Sequence, residues 1–136
     1  MTLLFDASSI FEALIRGNVR VLNKNYTLDI ARYELGNILW RRRILVGDID
    51  DEEYARLADL IKRTLRLLNI IGIECHEQEI LKIAKEFKIT FYDSAYVFVA
   101  KAKKIPFVTE DEKLKRKIGD YVKATSIEEI IKTSQD

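Results

Sequence analysis

Four acidic residues of this chain sit where a short apolar run ends or a helix begins. They are Asp6 in LLFDASS, Glu34 in ARYELGNILWR, Asp93 in TFYDSAYVFVA and Asp111 in PFVTEDEKL. Apolar runs enter a buried sheet, and a carboxylate at the carboxyl edge of such a run faces the crevice where open α/β sheets bind ligands. Several carboxylates in one crevice repel each other unless a cation joins them, and hard oxygen donors suit Mg²⁺ or Mn²⁺. The chemistry indicated is metal-assisted attack on a phosphodiester.

Each acid has a plainer reading beside this one. Asp6 precedes Ala7-Ser8-Ser9, so it either holds a metal with the Ser8 hydroxyl nearby or caps the helix that follows. Glu34, Asn37 and Arg41 share one helix face, a carboxylate with an amide one turn on, and such a face is more often simply solvated. Asp93 lies between Phe91-Tyr92 and a nearly all-apolar helix, where an acid either finds a partner or takes up a proton. It too could be only a cap. Asp111 follows a strand that brings the Thr109 hydroxyl beside it. Glu110 and Glu112 read as solvent-facing, with Glu110 a competitor of Asp111 for the inward position. The cations Lys113, Lys115, Arg116 and Lys117, with Arg41 to Arg43 and Lys101, Lys103 and Lys104, are phosphate contacts or solvated faces.

The elements that must carry these residues alternate as strand and helix. Leu3 to Phe5 is a strand, followed by a helix from Ser8 to Ile15. A short strand at Tyr26 to Leu28 leads to Asp29, which caps a helix reaching about Ile44. Asp50 and Glu53 form a capping box for a helix on which Tyr54, Leu57, Ile61, Leu65 and Leu68 recur at helical spacing. A strand at Ile70 to Ile73 follows, then a helix marked by Ile80, Ile83 and Phe87. Asp93 opens the next helix, with Tyr96, Val97 and Ala100 on one face. Strands at Phe107 to Thr109 and Tyr121 to Ala124 lead to a terminal helix boxed by Ser126 and Glu129. Short apolar strands between helices imply a three-layer α/β/α fold with a mostly parallel central sheet.

The chain has 136 residues, enough for one domain over 1–136. Its net charge of +1 excludes a globally basic nucleic-acid wrapper but not local patches. One cysteine, Cys75, excludes an internal disulfide and points to a reducing cytoplasm. The apolar start is too short for a signal peptide, and no run approaches a membrane span. Cys75 reads as a small hydrophobe and His76 as a helix-start or surface residue. Trp40 reads as core or dimer packing. The stripe around Ile38, Leu39, Tyr54, Leu57 and Ile61 is more than one small sheet face covers, and part of it is predicted to form a symmetric homodimer. No Gly-rich phosphate loop is present. A phospho-accepting receiver domain would need an acid beside Asp6 and a lysine after its last strand, and neither is there.

FDASS, the central E-x-x-N, YDSAY and TEDEKL together resemble the PIN domain over essentially the whole chain, and most closely its VapC-type toxins. The resemblance implies a Mg²⁺- or Mn²⁺-dependent endoribonuclease with metal ligands Asp6, Glu34, Asp93 and Asp111, supported by Ser8, Asn37 and Thr109. It also implies a homodimer inhibited by a small antitoxin protein. A housekeeping RNA-processing nuclease, or an inactive binding module of the same fold, are the alternatives.

Overall fold

A computed structural model describes residues 1–135, with side chains through residue 133. The strands are β1 (Leu4–Phe5), β2 (Tyr26–Leu28), β3 (Asn69–Ile71), β4 (Phe107–Val108) and β5 (Ala124–Thr125). The helices are α1 (Ala7–Ile15), α2 (Ala31–Arg41), α3 (Asp51–Leu65), α4 (Glu77–Phe87), α5 (Phe91–Lys103), α6 (Glu112–Ile118) and α7 (Ile127–Gln135). The strands form one sheet in the order β3-β2-β1-β4-β5, every pair parallel. Leu4 stands beside Tyr26 on one side and Phe107 on the other.

Strand side chains alternate between faces, and here both faces are buried. Leu3, Phe5 and Val108 join Ile10, Leu35, Leu57 and Ile127 in a core under α1, α2, α3 and α7. Leu4 and Phe107 join Ile80, Val97 and Ile118 in a second core under α4, α5 and α6. This is the expected three-layer architecture. All carboxyl ends of the strands open on one edge, so Asp6 and Asp111 arrive there from neighbouring strands.

Several boundaries depart from expectation for local reasons. Asp29 does not cap α2: its N–H bonds to Ile71 O, and the cap position is Ile30, with no side-chain bond. Beyond Arg41 the helix widens into a π turn, Arg42–Val46, which stops at Gly47 in the left-handed region at φ 72°. α5 starts earlier than expected, capped by the Thr90 hydroxyl, which puts Asp93 inside the first turn. β3 and β5 lie one to three residues from the expected spans; β5 starts late because residues 121 and 122 still bond back to Ile118. Cys75 is exposed rather than packed. His76 stands at the start of α4 without a capping bond, its ring on Phe98. Trp40 is half-exposed rather than core. Leu39, Leu57 and Ile61 of the expected stripe are buried within the chain, while Ile38 and Tyr54 are partly buried. Among the described residues no helix is long and apolar enough to cross a membrane.

Candidate active site

Asp6 follows β1 in extended backbone and caps α1. Its carboxylate accepts from Ser9 N at 2.9 Å, Ser8 Oγ at 2.7 Å and Thr109 Oγ1 at 2.5 Å. Burial outweighs these neutral donors and pushes the carboxyl up to about 6. Asp6 is thus the helix cap of the plainer reading, and it also lines a cleft. The two hydroxyls tie neighbouring loops together. Thr109 Oγ1 also accepts from Asp111 N at 3.2 Å, and Ser8 Oγ from Glu110 N at 3.1 Å.

The neighbours Glu110 and Asp111 part company here. Asp111 caps α6, accepting from Leu114 N at 3.0 Å, and faces the cleft. Glu110 turns away, and its carboxylate accepts from Ile127 N, at the start of α7, at 2.9 Å. That bond takes Glu110 out of the competition and out of the solvent-facing role expected for it.

Glu34, in the first turn of α2, accepts from the Tyr96 hydroxyl at 2.9 Å. Its carboxyl is raised by burial first and by the charges of Asp6 and Asp93, while the Tyr96 bond opposes. Asp93 is raised by burial and then by Asp111, with Thr90 opposing. Tyr96 itself is buried, its ring 5.7 Å from that of Phe107, and its hydroxyl is pushed far up by burial and Glu34. Carboxylates that raise one another must converge, and all four do. Asp6, Glu34, Asp93 and Asp111 line one cleft of about 260 Å³ with Ser8, Asn37, Ile38 and Tyr96. Thr109 does not line that cleft and reaches it only through its bonds to lining residues, among them Asp6 and Asp111.

The cations sort unevenly. A hollow of about 170 Å³ shares Asp93 and Asp111 with the cleft and is also lined by Lys88, Lys113 and Lys117. Lys115 is committed elsewhere, to Glu112 at 3.4 Å and Glu129 at 3.0 Å. Arg42 and Arg43 pair with Asp48 and Asp51. Lys101 lies eight residues beyond Asp93 on α5, about 12 Å along the helix, where its ammonium bonds Tyr121 O. The Lys101 to Lys104 group thus belongs to the opposite end of α5 from the acids.

The donor set is wholly oxygen, which fits Mg²⁺ or Mn²⁺ in type. Among the described residues no three His, Cys, Asp or Glu side chains are gathered closely enough to hold a metal ion as they stand. The carboxylates would have to draw together around it. Their mutual repulsion is what a cation would relieve.

Sequence reasoning missed two residues. Tyr96 reads from the sequence only as core, although its place one turn after Asp93 puts it on the same helix face. Lys88 comes from the end of α4, five residues before Asp93, and nothing in its local pattern points to it.

The family model of the PIN domain matches residues 4–119. The exonuclease VapC9 of Pyrobaculum aerophilum is 29% identical over 113 residues, 82% of this chain and 81% of that protein. Among solved structures, PAE2754 from Pyrobaculum aerophilum matches with a TM-score of 0.81 at 26% identity, over 100% of this chain and 91% of that one. VapBC2 from Rickettsia felis, bound to a DNA fragment from their promoter, matches with a TM-score of 0.57 at 15% identity. That match covers 93% of this chain and 98% of the other, and is a likeness of fold.

Proposed function

The chain belongs to the PIN domain family, and from that premise we propose that it is a Mg²⁺- or Mn²⁺-dependent endoribonuclease, the toxin of a toxin–antitoxin pair. The observation that carries the reading is the convergence of Asp6, Glu34, Asp93 and Asp111, from four separate segments, on one cleft at the carboxyl edge of the sheet. A bound cation would supply a Lewis acid for the phosphate and a water of lowered pKa. The four carboxylates would hold it.

The rest is work for the side chains. Ser8 and Thr109 fix both oxygens of Asp6, and the α6 amino end fixes Asp111. Tyr96 holds one oxygen of Glu34 and leaves the other free to face the cleft. Asp93 has the least committed carboxylate of the four, and burial and Asp111 raise its proton affinity. It is therefore the group assigned to take a proton from the attacking water. Asn37, exposed at the cleft wall, offers an amide to orient a phosphate oxygen. Lys88, Lys113 and Lys117 would meet a flanking phosphate.

The cytoplasm is the proposed compartment, since one cysteine leaves no internal disulfide. An antitoxin would have to neutralise or plug the acidic cleft. A homodimer would use the apolar tip of Ile44, Leu45 and Val46, each more than half exposed.

A second reading comes from the similar protein named as an exonuclease. The test is cleavage of linear and circular single-stranded RNA with EDTA, then with excess Mn²⁺. The proposal expects no cleavage in EDTA and Mn²⁺-restored cleavage of both forms. Cleavage of the linear form alone would favour the exonuclease. Asp93→Asn and Glu34→Gln should each lose more than about a hundredfold in rate, since losing even an outer partner of a metal ligand costs 10- to 100-fold. Undiminished cleavage by either would remove the assignment.

A further inference from the structure

Beside the acidic cleft, the same sheet edge carries an apolar pocket of about 230 Å³ that the reaction does not use. It lies at the carboxyl ends of β2 and β3, lined by Leu28 and Ile71 and by Phe91 at the start of α5. Two tyrosines complete it: Tyr33, 71% exposed, and Tyr92, 57% exposed. Each directly precedes an acid of the cleft, Glu34 and Asp93. A single exposed aromatic residue needs no explanation. Two of them lining one pocket, each chained to a cleft acid, do.

Resting on the nuclease reading, we infer that this pocket is a nucleobase subsite, where Tyr33 and Tyr92 stack a base of the strand whose scissile phosphate lies in the acidic cleft. Adjacent strands are about 4.8 Å apart, so the end of β2 lies one strand spacing from Asp6 at the end of β1. A neighbouring nucleotide reaches that far. The lining disfavours a phosphate, because it is almost wholly apolar and no cation contributes to it. A base suits it: every base has a π-face for a tyrosine ring. A protein segment suits it less, since a stable interface buries about 800 Å² on each partner and this is one compact hollow.

The test uses fluorescein-labelled single-stranded RNA, with affinity measured in EDTA and KM measured with Mn²⁺. One nucleotide at a time is replaced by an abasic one, on the parent and on Tyr33→Leu, Tyr92→Leu, Tyr33→Phe and Tyr92→Phe. One position next to the cleaved bond should cost the parent at least about fivefold in Kd when abasic. The Leu variants should show a similar loss on intact RNA and no further loss on that abasic RNA, and the Phe variants should match the parent. Additive losses, or Leu variants equal to the parent on intact RNA, overturn the inference. So does a fall in oligomeric mass of the Leu variants with RNA affinity unchanged, which would assign the pocket to a protein contact. If the parent binds RNA but does not cleave it with Mn²⁺, the nuclease reading fails and the abasic comparison still judges the subsite. If it binds no RNA, both fail.

Discussion

Asp6 and Asp111 differ from Glu34 and Asp93 in what folding asks of them. The first two follow strands and cap α1 and α6, so their carboxylates would be needed in any protein of this shape. Glu34 and Asp93 stand one turn inside α2 and α5. Neither carboxylate satisfies a helix end: α2 has no side-chain cap, and α5 takes its cap from Thr90. Both carry a burial penalty and sit near other acids, as Asp6 does, but without a helix end to explain their place. Folding explains the first pair and leaves the second pair unexplained, so Glu34 and Asp93 are the stronger evidence for a site.

The largest effect that sharpens this contrast is in acid. The folded-state carboxyl of Asp6 lies near 6, above its ordinary 3.8, so between those values the folded protein holds more protons than the unfolded chain. Its stabilising contribution is full below about pH 4 and is lost as pH rises through about 6. A shift of about two units corresponds to about 3 kcal/mol. Urea unfolding in EDTA from pH 4 to 7 should show this loss in the parent, and Asp6→Asn should remove most of it. An identical pH dependence in both would mean that Asp6 is not strained when ionised.

A smaller effect separates the cap from an acid that caps nothing. Asp111→Ala should destabilise the metal-free protein by about 1 kcal/mol, the usual loss for an N-cap. Glu34→Gln should cost close to nothing there, because glutamine still accepts from Tyr96. Chemical denaturation of both variants in EDTA checks this, and a larger cost for Glu34→Gln would break the division into two pairs. The smallest effect concerns the cations. Removing Lys113 and Lys117 should flatten the salt dependence of RNA binding by roughly 0.7 for each phosphate that is no longer neutralised. Lys115→Ala should leave the slope unchanged, because Lys115 is held by Glu112 and Glu129.

The same contrast explains what can be read from the sequence. Asp6, Thr109 and Asp111 are legible because an apolar run fixes where the chain leaves the sheet. Helix faces are legible wherever apolar residues recur over three turns, as at Leu57, Ile61 and Leu65. Strands of two or three residues hold too little periodicity to place β3 or β5. Glu34 is marked locally only by Asn37 one turn on, and a lone acid on a helix is more often simply solvated, so the resemblance carries most of its weight. The fate of Glu110 depends on an N–H seventeen residues away, and no local pattern reports that. A hydrophobic stripe does not say how much of it its own chain covers: Leu39, Leu57 and Ile61 are buried, while Ile38 and Tyr54 are only partly so.

The claim that these acids form one cation site is tested most directly by melting the metal-free protein against rising Mn²⁺. A ligand that binds only the folded state stabilises it by about 2.7 kcal/mol at a hundred times its Kd. The parent should melt clearly higher with Mn²⁺, and Asp93→Asn, which keeps the shape and removes one charge, should lose most of that rise. Equal Mn²⁺-induced shifts in the two proteins would show that Asp93 is not a ligand, and would contradict the site as described.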